Sequence, residues 1–131
     1  MNRTRALIVL IAWGWLAAPA VAGEAGIAGD WRVTGKVSAF SFTLDCHFEP
    51  RGGQLGGACI DASINDPKIH PGRVHPLTAG AVDGTAVTWT YQSSFLLTRF
   101  DVTFSGARAG DRMEGTINAS GRKGVFQAAR E

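Results

Sequence analysis

Gly52-Gly53 and the two cysteines that flank it, Cys46 and Cys59, constrain this chain more than any other feature. A two-residue hairpin loop needs positive φ at its centre, and glycine enters that region without a side-chain clash. With Gly52-Gly53 as the loop, Arg51 faces Gln54 and, counting outward, Cys46 faces Cys59. Hydrogen-bonded and non-hydrogen-bonded pairs alternate from Arg51/Gln54. Cys46/Cys59 is therefore a non-hydrogen-bonded pair with Cα atoms about 4.5 Å apart, at the short end of the disulfide range. The same register sets Pro50 where its strand needs no N–H toward Leu55, as a proline inside a ladder requires. Two independent features select one alignment.

Around this hairpin the chain alternates with period two between turns, and after Gly23 no long segment carries helical apolar spacing. Phe40, Phe42, Leu44, Cys46 and Phe48 share one face of a strand over 40–49, opposite Ser41, Thr43, Asp45, His47 and Glu49. Further strands are predicted at 29–37, 54–64, 77–82, 85–92, 99–107, 112–119 and 124–130. Residues 93–98 either extend a hairpin or form a rim loop. Residues 65–76 hold three prolines, Pro67, Pro71 and Pro76, without alternation, and form the one long loop. Eight short strands joined mostly by tight turns predict an all-β, eight-stranded antiparallel up-and-down barrel with one cross-strand disulfide. Closure removes the edges an open sheet would leave. A two-sheet sandwich accommodates the same alternation and is the competing architecture.

The first 22 residues read as a cleavable signal peptide. Arg3 and Arg5 precede an apolar run from Ala6 to Ala18, and Ala20-Val21-Ala22 offers a small-x-small cleavage site. The run is short for a membrane span and no second one follows, so no stable membrane insertion is expected after cleavage. The mature single domain is residues 23–131. Cleavage removes two arginines and no acid, so 13 Lys+Arg become 11 against 11 Asp+Glu and the formal charge falls to zero. A neutral chain without a basic tract gives no electrostatic reason to expect nucleic acid. Export to the periplasm or beyond the cell makes a disulfide the expected state of the cysteines.

Gly29-Asp30-Trp31 resembles the Gly-x-Trp of the first strand in lipocalins and related calycins. Arg130 is placed like the arginine that covers that tryptophan there. The resemblance implies a calycin-like barrel with a ligand site in its interior, in size nearer the avidin-like and fatty-acid-binding members. Secreted single-disulfide barrels that inhibit proteases share the size, the export signal and the Gly-x-Trp start. That likeness implies a flexible inhibitory arm, here Gly23 to Ala28, although their cysteine spacing differs from a pair that closes a tight hairpin.

The candidate ligand wall is Phe42, Leu44, Asp61, Trp89, Tyr91, Phe100 and Phe104, all on inward faces. Eight strands enclose a space that side chains just fill or that holds one small ligand, so a solid core and a cavity both stand as readings. Trp89 and Tyr91 carry polar tips that could orient a ligand. Asp61 faces inward opposite Leu44. It is either a buried working carboxylate, or a rim residue, or turned outward by a bulge at Gly56-Gly57. Lys68, His70, Arg73 and His75 form a mildly basic lid that would favour an anionic head group, or a solvated connection. Two histidines five apart fall short of a metal site. Asp45 and His47 lie on a solvent face, and no nucleophile, metal or phosphate motif supports a reaction. An enzyme would need a second polar group within reach of Asp61 or a loop histidine. The sequence thus predicts no cofactor and, as partner, a small apolar or amphipathic molecule, with a protein partner as the alternative.

Overall fold

The computed structural model describes residues 25–67 and 69–131. The expected export segment 1–22, the start of the proposed arm (residues 23–24) and Lys68 lie outside them. The strands are β1 (Gly29–Val37), β2 (Phe40–Arg51), β3 (Gln54–Ile64), β4 (Val74–Asp83), β5 (Ala86–Phe95), β6 (Thr98–Ala109), β7 (Arg112–Ala119) and β8 (Arg122–Arg130). Each pairs antiparallel with the next, and β8 returns to β1, so the sheet is a closed eight-stranded barrel rather than a sandwich.

The glycine hairpin sets the register as expected. Gly52 and Gly53 have φ of 58° and 80°, Arg51 pairs with Gln54, and Pro50 pairs with Leu55. Cys46 pairs with Cys59 and is joined to it by a disulfide, with Cα atoms 4.0 Å apart. Alternation along β2 buries Leu44, Cys46 and Phe48, with Phe42 partly covered, and leaves Ser41, His47 and Glu49 outside.

Two departures from the sequence reading shape one half of the barrel. First, β4 begins at Val74, not Leu77, so His75 is a strand residue paired with Cys59 rather than part of the loop. Pro76 is tolerated there because β4 has no β5 partner before Leu77. Second, the β2–β3 ladder slips by one residue after Leu44/Asp61, where Thr43 pairs with Ser63. Ala62 is the extra residue, and beyond it the inward positions of β3 switch from odd to even numbers. Asp61 and Ile64 consequently both face the interior.

One end of the barrel is closed. A helical turn over 25–27 lays Ile27, fully buried, across the opening, and the Trp31 indole donates to the Ile27 carbonyl at 2.9 Å. The Arg130 guanidinium sits 4.5 Å above the Trp31 ring and bonds the Ala28 and Gly26 carbonyls and Asp111. The cation–π contact expected of Trp31 and Arg130 is thus present and seals this end. Ala25–Ala28, the described part of the proposed arm, belong to the plug rather than to a free tail.

Candidate functional site

The interior is solid in one half and hollow in the other. On the plugged side Trp89 stacks on Phe104, with ring centroids 4.7 Å apart, while Phe48 and Phe126 pack edge-on or tilted against the indole. Trp89 and Phe104 are both fully buried. They lie beneath the cavity and are not among the residues of its wall, where the sequence reading expects them. The Trp89 indole N–H, expected to orient a ligand, is buried with no partner among the described residues. Phe104 instead supports the floor, with Phe42 at 6.2 Å and Tyr91 at 5.8 Å between centroids.

Above that floor is a cavity of about 450 Å³, within the range of single-ligand sites. Phe42, Leu44, Asp61, Tyr91 and Phe100 from the expected set line it, together with Val102 and Ile117. Its mouth is built from Val37 and Phe40, Ile64 and Ile69, Phe95 and Leu96, and Ser120 and Arg122. These come from four connections, β1–β2, β3–β4, β5–β6 and β7–β8, which an up-and-down barrel must place at one end. That inference was available from the strand order alone, although these mouth residues carry no motif. Gly35 makes room for one wall: a Cβ there would meet Phe42 Cζ at 2.4 Å.

The polar side of the cavity is a cluster centred on Asp61, which is 3% exposed. Its Oδ2 accepts from Arg73 Nε at 3.1 Å and His75 Nε2 at 3.0 Å. Burial by itself would push the Asp61 carboxyl up, but the hydrogen bonds from His75 and Arg73 outweigh it and hold the group below its ordinary value. Asp61 is therefore an inward carboxylate with partners, not a residue turned out by a bulge. Gly57 does take a φ of 113°, and the β3–β4 ladder shifts near it, but Asp61 stays inside.

The reason for the cluster lies in the sheet. Beyond Leu77/Tyr91, β4 and β5 make no ladder pairs, leaving a seam in the wall between 74–76 and 92–95. Side chains close it. Arg73 donates to the Ser94 carbonyl at 3.3 Å and to Ser93 Oγ at 3.2 Å, and His75 Nδ1 meets the Gln92 carbonyl at 3.3 Å. The His75 ring also stacks on Tyr91 at 4.6 Å. Backbone bonds from Asp61 N to Arg73 O and from Gly72 N to Asp61 O tie the end of the long loop to the same residue. At its start, Asn65 bonds Ala39 O and Ser41 N across the β1–β2 turn.

The basic lid is thereby revised. Arg73 and His75 are committed to Asp61 and the seam, His70 is exposed and away from the cavity wall, and Ile69 is the loop residue that lines the mouth. Both nitrogens of His75 face acceptors, so neither is presented to the cavity. What the cavity sees is the edge of the Asp61–Arg73 pair and the phenol of Tyr91. Burial, followed by the Asp61 charge, pushes that phenol upward and keeps it neutral. No group of three or more potential metal-ligating side chains occurs among the described residues. On the outer face, His47 is exposed; the hydrogen bond with Asp30 raises its pKa.

The sequence matches no protein-family model and no curated protein. Among solved structures, it is similar to a redesigned β-barrel, mFAP1, bound to DFHBI, at a TM-score of 0.59. Identity is 17%, and the match covers 83% of this chain and 98% of that one. The likeness supports the small-barrel fold.

Proposed function

We propose that this protein is an exported barrel that binds one small amphipathic molecule in the open half of its interior. The observation that carries the reading is the cavity of about 450 Å³, lined mostly by apolar side chains, with Asp61, Arg73 and Tyr91 as polar groups on its wall and Ser120 and Arg122 at its mouth. A preformed apolar space with a few convergent polar groups is the usual form of a small-molecule site. The apolar body would rest on Phe42, Leu44, Phe100 and Val102. A hydroxyl, or another group able both to donate and to accept, would sit against Tyr91 and Asp61. The charge of Arg73 is already balanced by Asp61, so an anionic group would be met at the mouth, by Arg122, rather than by the loop cations. The disulfide suits the oxidising compartment that export would reach. The likeness to a barrel bound to a small molecule is in keeping with this use of the fold but does not identify a ligand.

Native mass spectrometry of protein purified from its own host, together with titration of an apolar naphthylamine dye, tests the proposal. A retained molecule or saturable dye binding is expected, and Ala119→Phe, which fills the cavity from its wall, should abolish either while the far-ultraviolet spectrum stays unchanged. Absence of any retained molecule and of saturable dye binding in the parent protein would overturn it.

A further inference from the structure

The β5–β6 connection is unlike the other tight turns of the barrel. Three connections hold both central residues at positive φ: Gly52-Gly53 (58° and 80°), Ser120-Gly121 (53° and 78°) and Leu96-Leu97 (49° and 70°). The first two use glycine, which suits this geometry. The third uses two branched apolar residues, for which the left-handed region is costly. Nor does burial compensate: Leu96 is 72% and Leu97 104% exposed, and Phe95 beside them is also exposed. Folding alone would favour Asn-Gly here. The turn stands on the rim of the cavity, where Phe95 and Leu96 form part of the mouth.

The charges are arranged around the same end. Lys36, Arg99, Arg122 and Lys123 lie within two residues of the mouth-side turns, and none of them enters an ion pair among the described residues. The acids nearest that rim are Asp66, Asp101 and the buried Asp61, which is paired with Arg73. Acids outnumber cations toward the other end, where Arg51, Arg108 and Arg112 also lie and where Asp30 and Asp111 are engaged by His47 and Arg130. A domain with no formal net charge is thus polarised, basic at its open end.

We infer that the mouth docks on an anionic lipid surface, with Leu96 and Leu97 entering the interface and the surrounding cations facing the headgroups. An exposed apolar tip ringed by lysine and arginine matches such a surface in both hydrophobicity and charge. The outer wall does not share this character. Arg32, His47 and Glu114 are exposed along the strands, so the barrel rests on the bilayer by one end and does not span it. Docked this way, the cavity opens toward the membrane. The inference goes beyond ligand binding and holds whether or not the cavity is occupied.

Vesicle flotation tests it. Because β1 pairs with both β2 and β8, the barrel closes on residues 29–130, and a chain starting at Gly23 contains all of it. This chain should float with vesicles of equal parts phosphatidylcholine and phosphatidylglycerol, not with phosphatidylcholine alone. The bound fraction should fall as salt rises. Leu96→Asn/Leu97→Gly supplies the residues a type I′ turn prefers, so this variant should be at least as stable as the parent. It should nevertheless partition about tenfold or more weakly. Arg99→Gln/Lys123→Gln should lower partition onto anionic vesicles by roughly tenfold. No flotation of the parent with anionic vesicles, or equal partition of the turn variant, overturns the inference. So does concentration-dependent self-association that the turn variant abolishes in the absence of vesicle binding, which would mark the tip as a protein contact.

Discussion

Replacing Asp61 by alanine tests the account of the β4–β5 seam most directly. The carboxylate is 3% exposed and accepts from His75, itself 6% exposed, and from Arg73, whose side chain is 37% exposed. Removing a buried carboxylate that accepts a charge-assisted hydrogen bond, and leaving its buried donor unpaired, costs about 3–5 kcal/mol. The Arg73 contact is partly solvated and should contribute less than about 1 kcal/mol. His75 keeps its bond to the Gln92 carbonyl, so the lower end applies and the loss should be about 3–4 kcal/mol. With m near 1.5 kcal/mol/M for a domain of this size, the urea midpoint falls by roughly 2 M under non-reducing conditions. Hydrogen exchange should rise first at 73–76 and 92–95, the two sides of the seam. The pH dependence has a definite sign. The folded Asp61 carboxyl is held below its ordinary value, so its stabilisation is complete above the ordinary carboxylate range, near pH 4, and disappears as pH falls through the lowered value. The stability gap between parent and Asp61→Asn should close over that acidic window. A loss under about 1 kcal/mol for Asp61→Ala, or a gap that persists below the window, would refute the clasp.

Other expectations concern the rest of the barrel. Gly35→Ala puts a Cβ 2.4 Å from Phe42 Cζ and 3.0 Å from Ile117 Cδ1. The Phe42 ring should swing into the cavity, costing about 1–3 kcal/mol and weakening dye binding together with the urea midpoint. Arg130→Ala removes the cation over Trp31 and the donors to Ala28 and Gly26. It should cost about 2 kcal/mol, from the cation–π contact and the lost hydrogen bonds, and shift Trp31 emission to the red as water reaches the plug. Cys46→Ala/Cys59→Ala should lower unfolding free energy by about 3 kcal/mol while leaving the barrel's circular dichroism intact at room temperature, because the hairpin register is also set by Gly52-Gly53.

Much of this arrangement is legible in the residues themselves. Strong alternation in β2 identifies its inward face because a strand projects successive side chains to opposite sides. A glycine pair at a hairpin tip fixes which residues oppose each other, and so the disulfide and the inward position of Asp61 follow from counting. Loop 65–76 is less legible. Its prolines suppress the strand signal at Val74 and His75, and the local sequence cannot show that β3 supplies a ladder there without β5.

The sequence by itself determined the number and order of the strands, the hairpin alignment and most of the side chains that point inward, since these depend on local backbone geometry and period. Only the tertiary structure decided how the interior is divided. Trp89 and Phe104 fill one half because Phe48 and Phe126 meet them from other strands. In the other half, the one-residue slip at Ala62 turns Ile64 inward, and the unpaired start of β4 leaves a gap in the wall that Asp61, Arg73 and His75 bridge. These outcomes depend on contacts between strands distant in the chain, which no local pattern encodes.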